Sequence, residues 1–399
     1  MIDVKEALEI IKSHLGNFGT ESIPLSVSMG RILKDDWHTD RALPPYDRVT
    51  MDGIAITYSD FEKGQRTFEI EAVAAAGDPQ KEKVKEGTCL EVMTGSIMPL
   101  ACDTVIRYED LDVKNGRATI QTDAVTNKQN VHFHGSDRTL GELVAKKHTL
   151  ISSAEIGLGA SIGKSMVTVA KLPKAIVIST GNELVPIDQK PLAHQIRRSN
   201  IYRISTVLNS LGIPCDEAHL DDNKEEIKDK MKGYLEAYDI VLLSGGVSKG
   251  KFDFLPVVLD ELGAEKLFHK IAQRPGKPFW FGRRGACTIF AFPGNPVSSF
   301  VCMHRYFVEW LGDSLGVSLR KHFYAKLTQE VHFKPDLTYF LEVKISSDKD
   351  GVLLATPQKG NGSGDLANLV EADAIIELPR GYNVYEKGEV HPIYFYRQF

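Results

Sequence analysis

Cysteine is scarce in this chain and irregularly placed. The 399 residues include only five cysteines, and no two of them form a Cys-x-x-Cys pair. A disulfide framework or a cysteine-rich zinc site needs closer and more regular spacing, so the sequence favours neither. We expect free thiols, buried in a protein of the reducing cytosol.

Long hydrophobic runs and a strong charge imbalance are also missing. No stretch approaches the ~20 apolar residues that cross a bilayer, and residues 1–8 alternate charged with apolar side chains, unlike a secretory signal. The net charge is only −5, which gives no general attraction for nucleic acid or anionic membranes. We therefore expect a cytoplasmic protein that binds neither, and any anion that it binds must enter a local pocket.

The length is sufficient for several domains. A chain of 399 residues exceeds what one core usually supports, so two to four domains of about 100 to 150 residues are expected. Residues 68–131 and the segment after Gly316 show short alternating strands separated by Gly, Pro and Asp. These patterns predict two β-rich regions, of which the last is a barrel of roughly 80 residues.

From Lys174 onward, strand and helix patterns alternate, which is typical of a parallel α/β sheet. The predicted strands are 175–179, 214–220, 240–243 and 288–292, and the predicted helices are 200–211, 224–236, 254–262 and 297–311. Such sheets bind ligands at the carboxyl ends of their strands. Polar or glycine-rich turns follow all four strands, so we place the candidate site there.

Two of these turns indicate an anion. The third strand is followed by Ser244-Gly245-Gly246-Val247-Ser248, and the fourth by Pro293-Gly294-Asn295-Pro296. Glycine lets the backbone approach a phosphate, and the next helix adds its positive end. Lys270, Arg274 and Lys277 lie between the two turns. The combination predicts a phosphate site, although either turn alone could be purely structural.

Three acidic residues near the same strand ends form a candidate metal set. Glu183, Asp221 and Asp253 offer the hard oxygen ligands that Mg²⁺ prefers when it accompanies phosphate. Each of them alone could instead be a helix cap that interacts with the helix dipole.

Six motifs occur in a fixed order along the chain. They are Pro-Pro-Tyr-Asp at 44–47 with Met-Asp-Gly-Ile-Ala at 51–55, Met-Thr-Gly at 93–95, Ser-Thr-Gly-Asn-Glu-Leu at 179–184, Ser-Gly-Gly-Val-Ser at 244–248, Pro-Gly-Lys-Pro at 275–278 and Pro-Gly-Asn-Pro-Val-Ser at 293–298. In these motifs the chain resembles the molybdopterin molybdenumtransferase (MoeA) family, to which the C-terminal domain of gephyrin is related. The resemblance runs from near residue 1 to the C-terminus.

The resemblance implies a multidomain fold of α/β plus β type. It has a MogA-like doubly wound α/β domain, two β-rich domains and a C-terminal β-barrel. The implied boundaries are 1–20 with 173–316 for the MogA-like ligand-binding domain, 21–42 with 140–172 for a small linking α/β domain, 43–139 for a β-rich domain and 317–399 for the barrel.

The resemblance also implies an activity and its partners. Members of the family insert molybdate into adenylylated molybdopterin with Mg²⁺ and release AMP, a step of molybdenum cofactor biosynthesis. The family site is completed across a homodimer. A molybdopterin adenylyltransferase and the apoenzymes that receive the cofactor are the implied protein partners.

Site residues follow from the motifs by position. Catalytic roles are implied for Asp52, Thr94, Glu183, Asp221 and Asp253, the last three of which also hold the metal. Substrate binding is implied for Ser244, Gly245, Gly246, Ser248, Lys270, Arg274, Lys277, Pro293, Pro296, Asp137 and Ser363. Among these, Lys270 and Arg274 resemble the paired cations for molybdate.

Three positions depart from the family pattern. Asn182 stands where many relatives have Asp, Arg274 where Lys is frequent, and Glu342 where relatives often carry Arg. A carboxylate at position 342 cannot hold an anion, which keeps open a non-catalytic dimeric scaffold of the gephyrin type. A molybdopterin adenylyltransferase is a second alternative, because related enzymes share the α/β domain alone.

Overall fold

The structure is a computed structural model that describes residues 1–83, 85–247, 253–319, 321 and 323–397. The chain divides into two compact units. The first comprises residues 1–34, 148–152 and 167–399, and the second comprises residues 35–147 and 153–166. The four-domain boundaries implied by the sequence are finer than this division and stay a prediction.

A six-stranded mixed sheet forms the centre of the first unit. Its strand order is Cys215–Leu220, Ala175–Thr180, Ile240–Ser244, Cys287–Phe292, Trp280–Arg284 and Glu265–His269. The first four strands are parallel, and each confirms a predicted strand with its bounds shifted by at most one residue. The last two are antiparallel strands, with Glu265–His269 at the edge of the sheet, and the sequence pattern did not predict them.

The three inner parallel strands, Ala175–Thr180, Ile240–Ser244 and Cys287–Phe292, are buried throughout because both faces of the sheet are covered there, whereas the outer strand Cys215–Leu220 carries exposed Asp216 and Glu217. Leu242 and Phe290 are fully buried in the cluster on one face, whereas Leu243 and Ile289 are fully buried in the cluster on the other. The helices of this unit are Val4–Lys12, Ser199–Ser210, Lys224–Ala237, Leu255–Glu261, Pro296–Cys302, Val308–Leu315 and Leu366–Glu371, with a 3-10 turn at Leu25–Val27.

The helix predicted over 297–311 was wrong in its continuity and its end. A π-helical segment, Met303–Phe307, separates Pro296–Cys302 from Val308–Leu315. Gly312 lies inside the last helix, which ends instead at Gly316 in the left-handed conformation with φ 86°. Glycine tolerates this conformation at little steric cost, so it is the common helix terminator.

The C-terminal region forms the predicted barrel. The sheet closes because Thr338–Ser347 pairs with both Leu353–Pro357 and Ala374–Leu378. The other barrel strands are Phe323–Leu327 and Val390–Phe395, and Gln273–Arg274 joins the sheet in parallel at Thr338 and Tyr339. Val331–His332 leaves the barrel to pair with Val384–Tyr385.

The second unit contains another six-stranded sheet, in the order Thr104–Arg107, Gly53–Ile56, Thr88–Val92, Thr67–Ala74, Arg117–Ile120 and Leu111–Lys114. This confirms the β-rich character predicted for residues 68–131. Its remaining elements are Trp37–His38, Arg48–Val49, Val131–His132, Leu143–Ala145, the helices Tyr58–Glu62 and Ser153–Ser161, and the 3-10 turn Tyr108–Asp110. Short strands elsewhere in the chain are Thr20–Pro24, Met166–Ala170, Leu184–Val185 and Ile196–Arg197.

The sulfur atoms lie largely inside the fold. All five cysteines are free, and Cys89, Cys287 and Cys302 are buried. Burial raises the pKa of Cys89, Cys102 and Cys287 to about 12. Among the described residues, no helix is both long and apolar enough to span a bilayer.

Candidate active site

A cavity of about 780 Å³ opens where the parallel strands of the first unit end. Parallel register places Ser179, Ser244 and Phe292 side by side in adjacent strands. The turns that follow these three residues therefore begin at the same edge of the sheet and line the cavity together. After Ala175–Thr180 the chain adds Cys215–Leu220 on one side of that strand and then Ile240–Ser244 on its other side. This reversal of strand order is the switch point where such sheets bind ligands.

The glycine turn after Ile240–Ser244 is possible only without side chains. Gly245 and Gly246 have φ values of +101° and +68°, and a Cβ on either would lie 2.9 Å from Thr180 Oγ1. This close packing brings the two turns together and leaves a bare backbone surface at the cavity. Gly294 packs against the same turn, since its Cβ would be in van der Waals contact with the Gly245 Cα at 3.5 Å.

Asn200 links the two glycine turns. Its Nδ2 donates to Ser244 Oγ at 2.9 Å and to the Gly294 carbonyl at 2.7 Å. Asn200 is the second residue of the helix Ser199–Ser210, which follows the wall residues Arg197 and Arg198. The two arginines bring positive charge to a cavity that also holds acidic side chains. The sequence interpretation missed all three residues, although two adjacent arginines before a helix start were a signal for anion binding.

Three carboxylates line the same cavity, namely those of Glu183, Asp222 and Asp253. Asp222 is held in place by Asn182, whose Oδ1 accepts from the Asp222 backbone at 2.9 Å. The predicted ligand Asp221 is not among the lining residues, and its Oδ1 lies 3.5 Å from His219 Nε2.

His219 connects Asp221 to the cavity indirectly. Its Nδ1 lies 2.9 Å from the Oγ of Ser179, a residue of the cavity wall. Burial lowers the pKa of His219, which keeps the imidazole neutral near neutral pH. Asp221 is therefore linked to the cavity wall through His219 and Ser179 and does not itself line it.

The carboxylates suit a metal that is only partly held by protein. Among the described residues, no group of three or more His, Cys, Asp or Glu side chains could hold a metal ion without further ligands. Mg²⁺ is commonly bound by one or two carboxylates together with water and substrate phosphate. The donor set of this cavity fits that mode of binding.

A second cavity of about 460 Å³ lies beside the first and shares Pro278, Asn295 and Ser298 with it. Arg274, Lys277 and Lys359 bring three cations to its wall, and the predicted residue Ser363 also lies there. The Ser363 Oγ accepts from Asn295 Nδ2 at 2.9 Å, and its carbonyl accepts from the Val297 backbone at 3.0 Å. These bonds tie the glycine-rich barrel loop to the turn that ends Cys287–Phe292.

Glu342 is the acidic member of the second cavity. Burial raises the pKa of this carboxyl, and the nearby charge of Asp365 adds to the increase. The side chain therefore takes up a proton more readily than an exposed glutamate does.

The other predicted residues are placed as follows. Pro293 and Pro296 line the larger cavity. Lys270 has φ 85° and is not among the described residues that line either cavity. Ser248 lies outside the described residues.

In the second unit, two predicted residues interact directly. Asp52 accepts hydrogen bonds from the Thr94 backbone at 2.6 Å and from the Thr94 hydroxyl at 2.7 Å. The backbone bond lowers the pKa of Asp52, so this carboxylate stays ionised. Asp137 lies 2.8 Å from His132 Nε2.

The fold and the two cavities define a multidomain α/β protein with a polar, glycine-lined cavity at the switch point of its parallel strands. Family models match almost the whole chain. The MoeA N-terminal region (domain I and II) matches residues 2–163, a probable molybdopterin binding domain matches 176–313, and the MoeA C-terminal region (domain IV) matches 324–396.

Individual proteins give the same result. A molybdopterin molybdenumtransferase of Synechocystis sp. is 41% identical over 403 residues, which cover 99% of this chain and 100% of the relative. One of Bacillus subtilis is 27% identical and is covered over 94% of its length by all of this chain. The crystal structure of a molybdopterin biosynthesis MoeA protein from Pyrococcus horikosii has a TM-score of 0.85 and 28% identity, with complete coverage of both chains.

The chain belongs to the molybdopterin molybdenumtransferase (MoeA) family, whose members are transferases of molybdenum cofactor biosynthesis. The predicted family, fold class and enzyme class are thereby confirmed.

Proposed function

We propose that this protein inserts molybdate into adenylylated molybdopterin in a Mg²⁺-dependent reaction that releases AMP. The observation that carries the proposal is the pair of adjacent cavities with different chemistry. The larger one combines glycine turns with carboxylates, and the smaller one concentrates cations. A nucleotide-linked pterin and a tetrahedral oxyanion need these two environments side by side.

The larger cavity suits the phosphate end of the substrate. The bare backbone of Gly245, Gly246 and Gly294 lets phosphate oxygens approach closely. Arg197 and Arg198, which precede the helix Ser199–Ser210, add positive charge to the wall of the same cavity. Pro293 and Pro296 shape the turn at the edge of the site. Ser248 keeps its proposed role as a phosphate contact from the same glycine turn.

Glu183, Asp253 and the adjoining Asp221–Asp222 pair would hold Mg²⁺, with Asp222 rather than Asp221 on the cavity wall. When bound, the metal would neutralise charge on the phosphate and so favour departure of AMP. The protein's own part is to position the phosphate against these carboxylates and to keep its orientation fixed.

The smaller cavity suits molybdate. Arg274, Lys277 and Lys359 surround a space open to a small oxyanion, and an arginine can donate two hydrogen bonds to neighbouring oxygens. Lys270 retains its predicted role as the second molybdate cation. Protein groups are needed here to hold and orient the oxyanion, since the bond changes occur between the two substrates.

The remaining parts of the proposal concern assembly and location. We retain the homodimer, the cytoplasmic location and the partners, namely a molybdopterin adenylyltransferase and cofactor-receiving apoenzymes. Asp52, Thr94 and Asp137 are proposed to act in the same reaction. Sedimentation of the purified protein tests the dimer, and alanine variants of these three residues test their roles.

The central experiment measures AMP released from adenylylated molybdopterin as a function of molybdate and Mg²⁺. We expect release that requires both ions. Consumption of ATP with molybdopterin would identify an adenylyltransferase instead. Absence of AMP release in the presence of bound substrate would identify a non-catalytic scaffold.

A further inference from the structure

Arg203 is a buried arginine behind the wall of the larger cavity. It lies on the helix Ser199–Ser210, and its guanidinium sits 5.1 Å from the ring centroid of Phe300. Its Nη2 donates to Asn200 Oδ1 at 3.1 Å. Arg203 therefore contacts the one side chain that ties the two glycine turns together.

This guanidinium has no carboxylate partner within the described part of the chain. Its Nε and Nη1 are shielded from solvent and make no hydrogen bond to any described residue. Burial lowers the pKa of Arg203 to about 10, so the side chain still carries its charge at neutral pH. The nearby thiol of Cys302 supplies no counter-charge, because burial raises its pKa and keeps it protonated.

A second buried arginine, Arg305, has the carboxylate partners that a buried guanidinium usually has. Arg305 donates from Nε to Glu377 at 2.8 Å and from Nη1 to Glu309 at 2.5 Å. Two carboxylates thus compensate one guanidinium, as is normal for a charge removed from water. Arg203 is similarly enclosed but lacks both compensating groups.

The bond to Asn200 also decides which way its amide points. Arginine has only donors, so the Asn200 atom that faces it must be the oxygen. The Nδ2 group is then directed at Ser244 and Gly294. Without Arg203, the amide could rotate and present an acceptor to the Gly294 carbonyl, which would repel it.

We infer that Arg203 is a positioning residue whose missing counter-charge is the phosphate of a ligand in the larger cavity. It fixes Asn200, which holds the two glycine turns at the distance needed for a diphosphate, and it adds uncompensated positive charge behind them. The inference rests on the proposed function, because that function places phosphate in this cavity.

The test compares Arg203→Met with Arg305→Met and uses pyrophosphate with Mg²⁺ as the probe. Calorimetry gives the pyrophosphate affinity, and thermal unfolding without ligand gives the melting temperature. For Arg203→Met we expect affinity to fall about tenfold, in line with the loss of one charged interaction. The melting temperature should stay the same or rise, since an uncompensated buried charge is removed.

The matched variant should behave in the opposite way. Arg305→Met removes the guanidinium that compensates Glu309 and Glu377, which retain Lys12 at 3.7 Å and the Tyr394 hydroxyl at 2.7 Å, respectively. We therefore expect a lower melting temperature and unchanged pyrophosphate affinity. Arg203→Lys should recover part of the affinity, since it restores charge but not the planar fork.

Two results would overturn the inference. One is wild-type pyrophosphate affinity in Arg203→Met, and the other is a loss of melting temperature as large as that of Arg305→Met. If the unsubstituted protein binds no pyrophosphate, the proposed function fails and this inference fails with it. A defect confined to the variants' stability leaves the proposed function intact.

Discussion

The two adjacent cavities differ in the chemistry of the residues that line them. The larger one, at the strand ends, combines glycine turns with the carboxylates of Glu183, Asp222 and Asp253. The smaller one, between the sheet and the barrel, has Arg274, Lys277 and Lys359 with a single acid, Glu342. Under the proposed function the two substrates are anions, and repulsion between them opposes their reaction. Separate cavities would let each anion meet its own compensating charge before the two react.

Removing a carboxylate from the larger cavity is the most direct test of the difference between the two cavities. We expect Asp253→Ala to lower the rate of AMP release by at least about 100-fold while the substrate still binds, because the loss falls on electrostatic stabilisation of the reaction. Rapid-quench measurement of AMP and separate titration of substrate binding distinguish the two effects. Asp260→Ala, at an exposed position of the following helix, is the control, and equal losses in both variants would contradict the assignment.

The glycine turn provides a structural test of the same cavity. Gly245→Ala places a Cβ 2.9 Å from the Thr180 carbonyl at φ +101°, so we expect a loss of about 2–4 kcal/mol in unfolding free energy from backbone strain and overpacking together. Gly64→Ala has nearly the same φ, +99°, with nothing within 4 Å, and should lose only about 1–2 kcal/mol. Urea unfolding of both variants measures the difference, and equal losses would show that the close approach to Thr180 is unimportant.

A cation of the smaller cavity should affect molybdate alone. We expect Arg274→Ala to raise the molybdate concentration for half-maximal AMP release about tenfold, and less at high ionic strength, since the side chain is exposed and screened. Substrate binding in the larger cavity should not change. Lys326→Ala, on an exposed barrel position, removes the same charge elsewhere. A weaker effect on molybdate than on substrate binding would contradict the division between the cavities.

The smallest expected effect concerns the pH response of Glu342. Its pKa is raised by burial, so the folded protein binds this proton more tightly than the unfolded chain does. The unfolding free energy should therefore fall as pH rises from the ordinary carboxyl range through the raised pKa. Ionisation also places a negative charge beside Arg274 and Lys277, which should weaken molybdate binding about threefold.

Replacing Glu342 by glutamine should remove the contribution of this carboxyl, so that both quantities fall less with rising pH in that window than they do in the unsubstituted protein. Molybdate titrations and thermal unfolding across the window measure this. Glu386→Gln, at an exposed barrel position, should retain the wild-type profile. A wild-type profile in Glu342→Gln would show that another group is responsible.

The parallel strands and their turns could be predicted from the sequence because their signals are local. An apolar run ending in Ser244-Gly245-Gly246 specifies both a buried strand and the turn after it. The antiparallel strands Glu265–His269 and Trp280–Arg284 could not be predicted in the same way. Antiparallel pairing depends on partners distant in sequence, and these segments lack a clear alternating pattern.

The direction of individual side chains could not be predicted either. Asp221 and Asp222 are neighbours after the same strand, yet only Asp222 lines the cavity, since successive residues of an extended chain point to opposite sides. Lys270 was predicted as a site residue, but the direction of its side chain depends on a left-handed backbone conformation that the sequence does not predict. The bridge made by Asn200 joins turns 44 and 94 positions away, and only the folded chain shows it.

The buried thiols have a consequence for metal selectivity. Thiolate, rather than thiol, is the form that binds soft metals and reacts with oxidants. With pKa values near 12 at Cys89, Cys102 and Cys287, these side chains hold almost no thiolate inside a cell. In a transferase of molybdenum cofactor biosynthesis, these three side chains therefore do not compete for a thiophilic metal.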